Sequence, residues 1–190
     1  MRRLKLTILV VICLGAANAQ ANITNGGFET GSLDPWYIGI DYGMTEPWNV
    51  TSVDAHSGTY SATDVGDGEI RQDFAPVPTD NVTELSFWLK QPDSQISYVS
   101  AFYSDASESG DLVYLSTSDW EFFDITSWLV SGKQLTGFSI YGYSGGSPAE
   151  DRTYLDDVTL KATSVPVPGA ALLACIGLGY TGWLRRRRTI

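Results

Sequence analysis

Residues 83–91 read TELSFWLKQ, and they alternate without interruption. Leu85, Phe87 and Leu89 fall on one side of an extended chain, and Ser86, Trp88 and Lys90 on the other. Successive Cβ atoms of a strand point to opposite faces, so a two-residue period marks a strand with one apolar face. The same period extends outward from this stretch. ISYVSAFYSD (96–105) sets Ile96, Tyr98 and Phe102 opposite Val99, Ala101 and Tyr103, while GFSIYGY (137–143) and TYLDDVTLK (153–161) alternate similarly. Further strands are expected near 36–41, 50–53, 60–65, 68–75, 111–116 and 120–125, with Gly, Asp, Ser and Pro between the runs. No stretch between the termini sustains a helical period for three turns. Short strands at spacings of about ten residues predict an all-β chain folded as a jelly-roll β-sandwich.

The two ends obey different rules. Arg2, Arg3 and Lys5 precede the apolar run LTILVVICLGA, followed by Ala17-Asn18-Ala19. A basic start, a short apolar run and a small-x-small site are the parts of a secretory signal peptide, so residues 1–19 are expected to direct export and to be cleaved after Ala19. At the other end, residues 162–168 form a Pro-containing linker, 169–184 carry no charged side chain, and 185–190 begin with Arg185, Arg186, Arg187 and Arg188. Pro166 and Pro168 disfavour helix at the entry. As a helix, the uncharged run would reach roughly 24 Å, short for a span of roughly 30 Å, but Trp183 at the interface and snorkelling arginines would let it fit. The arginines predict a transmembrane helix with a cytoplasmic C-terminus and residues 20–161 outside.

The order Pro166-x-Pro168-Gly169, apolar helix, arginine cluster resembles the PEP-CTERM sorting signal. That resemblance implies an exosortase-like processing partner and destines the ectodomain for the cell envelope, or for release after cleavage near Pro166 to Gly169. Val167 stands where the family's name places Glu. A plain single-pass anchor is the alternative.

Trimming the ends changes the composition. Of 12 basic residues, only Arg71, Lys90, Lys133, Arg152 and Lys161 remain, against all 22 acidic ones. A surface near −17 repels phosphate and excludes nucleic acid as a partner. Both cysteines, Cys13 and Cys175, lie in the trimmed ends. The ectodomain therefore has no disulfide, no thiol nucleophile and no cysteine-based zinc site. A metal is the staple still open to it.

Three ordered segments carry a second resemblance: NGGFETGSLDPW (25–36), AHSGTYSA (55–62) and YLDDVTL (154–160). Together they resemble the galactose-binding-like jelly rolls found among carbohydrate-binding modules. The resemblance implies a structural calcium ion held by Glu29 and Asp156, with backbone carbonyls from the Ser57–Tyr60 turn. Calcium takes six to eight oxygen ligands, and carboxylates from distant strands can clamp the first to the last. On an ideal strand Asp156 and Asp157 point to opposite faces, so a regular ladder would offer only one of them.

Aromatic side chains opposite the apparent core faces are the candidates for stacking on a sugar: Trp88, Tyr103, Tyr141 and Tyr143, the last two beside the loop SGGSPAEDR. Trp36, Trp48 and Trp120 lie near turns. Catalysis has no signature. The single histidine, His56, stands in DAHSGTY with no G-x-S-x-G elbow, and Glu69, Asp73, Glu121 and Asp124 belong to no motif. The sequence is thus expected to encode a non-catalytic, exported domain that binds extracellular polysaccharide. A purely structural surface protein and a glycan-cleaving enzyme are the alternatives.

Overall fold

Strand β5 (Val82–Lys90), built from the alternating stretch, lies between β10 (Arg152–Ala162) and β8 (Glu121–Asp124). The computed structural model describes residues 22–41, 46–92, 96–142 and 152–163. The expected leader, transmembrane helix and basic tail lie outside the described residues, as do Tyr143 and the linker from 164 on, while Ala162, expected in the linker, ends β10. Among the described residues no helix is long and apolar enough to cross a membrane.

The other strands are β1 (Tyr37–Asp41), β2 (Glu46–Thr51), β3 (Ser61–Val65), β4 (Gly68–Pro78), β6 (Ile96–Tyr103), β7 (Glu108–Tyr114) and β9 (Gln134–Gly142). They form two five-stranded sheets, ordered β1-β4-β9-β6-β7 and β2-β3-β10-β5-β8, with every pairing antiparallel. Alternation places Ile70, Phe138, Ile140 and Val99 of the first sheet against Ala62, Leu85, Phe87, Leu89 and Leu155 of the second, all wholly buried. This is the all-β sandwich that the period-2 pattern predicted.

Residues 22–36 form no strand but dock on the sheets through their own chemistry. Phe28, at φ 55°, is fully buried and packs against Trp36 at 5.6 Å. Gln72 holds both the N–H and the C=O of Thr24 at 2.8 Å, and Gly26 C=O accepts the Val158 N–H at 3.0 Å. A Cβ at position 26 would drive into the Val158 carbonyl, so only glycine permits this approach.

Two readings are corrected. In β6 the inward residues are Val99, Ala101 and Tyr103, while Tyr98 and Phe102 face outward. Both faces of this strand are apolar, so alternation alone leaves its sidedness open. Packing sets it: small Ala101 lies beside Phe138 in register. Tyr103 is therefore a core residue, 3% exposed, with its hydroxyl bonded to Ser109 Oγ at 2.5 Å and accepting the Val130 N–H at 3.0 Å. It presents no ring face to a ligand. In β10 the ladder is irregular between Asp156 and Thr159, and Asp157 adopts φ 49°. The regular alternation of Asp156 and Asp157 is thereby lost, and both acids reach the same turn.

Candidate functional site

The outer face of the first sheet is built in rows that its register defines. One row reads Leu112, Tyr98, Tyr141, Glu69; the next Gly110, Ser100, Ser139, Arg71, Tyr37; the third Glu108, Phe102, Gly137, Asp73. Neighbouring strands lie about 4.8 Å apart, so each row crosses the strands as a continuous band. The middle band is mostly small residues, and rings rise on both sides of it. The result is a trough of about 650 Å³, within the range of small-molecule sites.

Arg71 enters the trough already ordered. Its guanidinium lies 3.6 Å from the centroid of the Phe102 ring, and its Nε and an Nη each reach Asp73 Oδ1 at 2.8 Å. Tyr37 donates its hydroxyl to Asp73 Oδ2 at 2.8 Å. Burial first, and then that bond to a carboxylate, push the phenol up to about 12, so Tyr37 stays protonated at any physiological pH. Glu69 is buried against β1, where Gly39 has no Cβ to displace its carboxylate. The lining combines ring faces, hydroxyl groups and carboxylates around a single, neutralised arginine. That chemistry suits a neutral polyhydroxylated chain and repels an anionic one.

The four aromatic candidates do not form one site. Tyr141 lines the trough beside Tyr98. Trp88 belongs to the other sheet, where the His56 ring stacks on it at 3.7 Å and 14°, with Phe122 on its flank at 5.5 Å. His56 also contacts Trp120 at 5.9 Å and pairs with Asp157 through Nδ1 at 2.8 Å. The indole of Trp88 is thus covered by its own chain on the His56 side. Tyr37, Glu69, Arg71, Tyr98 and Phe102 were missed by the sequence reading. The alternation of EIRQD in β4 does place Glu69, Arg71 and Asp73 on one face, and that signal was available.

Glu29 and Asp156 both reach residues 56–60. Asp156 Oδ2 accepts the N–H groups of His56 and Ser57 at 2.9 and 3.1 Å, and its Oδ1 accepts Asp157 N–H at 2.7 Å. Glu29 Oε1 accepts the N–H groups of Thr59 and Tyr60, each at 2.9 Å. The turn thus meets both carboxylates through its N–H groups. The Glu29 side chain and Asp156 Oδ1 also lie within 4 Å of where a Gly27 Cβ would stand. Asp156 is fully buried, and desolvation pushes its carboxyl up to about 6 despite those three N–H donors. Among the described residues no three His, Cys, Asp or Glu side chains gather as a metal cluster. Glu29 and Asp156 are the oxygen-donor pair that the resemblance implies for calcium, and the structure brings both to residues 56–60, where they accept N–H groups.

No protein-family model matches the sequence, and no curated protein matches it either. Solved structures do match. The sandwich has the fold of carbohydrate-binding-module jelly rolls. One match is a family 61 module, solved in complex with β-1,4-galactotriose, at TM-score 0.54 and 19% identity over 76% of this chain and 99% of that one. A family 16 module matches at TM-score 0.55 and 19% identity over 73% and 98%. A family 22 xylan-binding domain from Paenibacillus barcinonensis matches at TM-score 0.51 and 19% identity over 80% and 100%. At such identities the likeness establishes fold.

Proposed function

We propose that this chain is an exported, non-catalytic carbohydrate-binding protein, and that the trough of the first sheet holds a neutral glycan. The observation that carries the reading is the banding of that face: a floor of Ser100 and Ser139 between Tyr98 and Tyr141 on one side and Phe102 on the other. Rings can stack on sugar faces while Tyr37, Glu69 and Glu108 meet hydroxyl groups. The neighbouring modules of like fold, one solved with a galactotriose and one named for xylan binding, support the ligand class.

The leader and the PEP-CTERM-like tail support export, transient anchoring with the C-terminus in the cytoplasm, and sorting to the cell envelope by an exosortase-like enzyme. Calcium, when bound, would supply positive charge between the opening segment and the closing strand, held by the Glu29 and Asp156 carboxylates. Titration against a panel of neutral and acidic polysaccharides tests the binding role. Saturable binding of a neutral glycan is expected, weakened at least roughly tenfold in both Tyr98→Ala and Tyr141→Ala with folding unchanged. Equal binding by these variants and the parent chain would remove the trough as the site.

A further inference from the structure

The interior of the sandwich changes character at one layer. Ala62, Leu89, Val99, Ile140 and Leu155 are core residues on five strands. Two positions along from each, on the same inward face, stand Asp64, Gln91, Ser97, Gly142 and Thr153. The strands are antiparallel neighbours, and the pairs Asp64–Thr153 and Ser97–Gly142 are in register, so these residues share a layer. All four side chains are buried, Asp64 and Ser97 completely.

That layer is poorly satisfied. Gln91 donates its Nε2 to Thr153 Oγ1 at 3.0 Å. Among the described residues, both carboxylate oxygens of Asp64, the Oε1 of Gln91 and the Oγ of Ser97 have no well-formed hydrogen-bond partner. The Thr153 hydroxyl, which accepts from Gln91, lies beside Asp64 and favours its charged form. Arg152 acts on Asp64 through space, while its guanidinium pairs with Glu46 at 2.9 Å. Where a Cβ of Gly142 would stand, Thr153 Oγ1 lies at 2.7 Å and the two Asp64 oxygens at 3.0 and 3.1 Å. The missing side chain at 142 leaves these oxygens facing one another's space.

A buried polar group without a partner is destabilising, and a buried unpaired charge more so. Protonating Asp64 supplies a single donor to a layer with several unpaired oxygens, so it relieves the layer only in part. All four orphans are oxygens with lone pairs. Carboxylate, amide carbonyl and hydroxyl oxygens are the donor types of hard-cation sites.

We propose that Asp64, Gln91 and Ser97, with Thr153 alongside, form an interior cation site between the two sheets, separate from the Glu29 and Asp156 position, for a hard oxygen-coordinated ion of the calcium or sodium class. Desolvation disfavours the charged form of Asp64, and a cation beside it would favour that form. The ion's role is structural: it neutralises the layer and ties β3 and β10 of one sheet to β6 of the other.

The test counts ions bound by the full-length chain after stripping with chelator, in a choline-chloride buffer. Calcium titration of the parent, Glu29→Ala and Asp64→Asn is expected to give two ions, one and one. If the resident ion is sodium, calcium binding is indifferent to Asp64→Asn, but exchanging choline for sodium raises the melting temperature of the parent and not of that variant. Ser97→Ala, which keeps the charge, is expected to weaken the ion roughly tenfold, and it replaces Asp64→Asn if that variant fails to fold. A folded Asp64→Asn chain with parental calcium stoichiometry and parental sodium response overturns the proposal in favour of buried water, as does parental affinity in Ser97→Ala. An unchanged stoichiometry in Glu29→Ala counts only against the Glu29 and Asp156 position.

Discussion

Stability should fall as pH rises from about 4 to about 6 in the metal-free protein, and Asp156→Asn should remove about 3 kcal/mol of that fall. Asp156 is wholly buried, and desolvation, assisted by the neighbouring charge of Asp157, raises its carboxyl from an ordinary 3.8 to about 6. Between those values the folded protein binds a proton that the unfolded chain has released, so unfolding releases protons and stability declines with pH. A difference of about two units, at about 1.4 kcal/mol per unit, gives about 3 kcal/mol, complete once the pH exceeds the folded value. The slope is opposite to that of a salt-bridged carboxylate, whose folded value is depressed. Urea unfolding of the chain in chelator, at pH 4, 5, 6 and 7, measures it by linear extrapolation. Asp64 contributes a decline of the same sign, so the diagnostic quantity is the difference between the parent and Asp156→Asn. Saturating calcium should erase that difference by stabilising the ionised form. Identical pH slopes in parent and variant, or a parent more stable at pH 6 than at pH 4 by a margin the variant lacks, would refute the reasoning.

Phe28→Ala should cost about 3–5 kcal/mol in the same assay, because a completely buried ring in contact with Trp36 leaves a cavity. Gly26→Ala should destabilise by several kcal/mol, the new methyl colliding with the Val158 carbonyl and opening the hydrogen bond between Val158 N–H and Gly26. Glu29→Ala should shrink the calcium-dependent rise in melting temperature to the part that Asp64→Asn removes, read by differential scanning calorimetry with and without chelator. Arg71→Ala should weaken glycan binding by roughly tenfold while costing only about 1 kcal/mol of stability, since Phe102 lines the open trough and Asp73 is exposed.

The strands were legible because burial acts with a fixed period. Leu85, Phe87 and Leu89 face the core as their alternation requires, and so do Phe138 and Ile140. The expected strands near 60–65 and 68–75 correspond to β3 and β4 within a few residues. The trough was only half legible. Alternation names the residues that share a face, but it says which face is inside only when the two differ in polarity. In β5 they do: Lys90 and Trp88 oppose three large aliphatic or aromatic residues. In β6 they do not, since Tyr98 and Phe102 are as apolar as Val99 and Tyr103. What settles β6 is volume against a strand distant in sequence, with Ala101 beside Phe138, and no local pattern contains that information.

The same limit explains the acids of β10. A regular strand separates Asp156 from Asp157 by its pleat, and from that rule only one of them should reach the turn at 56–60. The irregularity after Asp156, with Asp157 in the left-handed region, lets Asp156 take the backbone N–H groups of His56 and Ser57. Asp157 then takes the His56 ring and the Ser57 hydroxyl. A left-handed residue that is not glycine carries a backbone cost, and Asp is among the residue types that tolerate it best. The cost is offset by four contacts to one turn and by the approach of Gly26 to Val158, one residue further on. The sequence records this as a repeated Asp in YLDDVTL. Two adjacent acids on a closing strand are a reason to expect a break in its pleat, because a regular strand offers only one of them to any one partner.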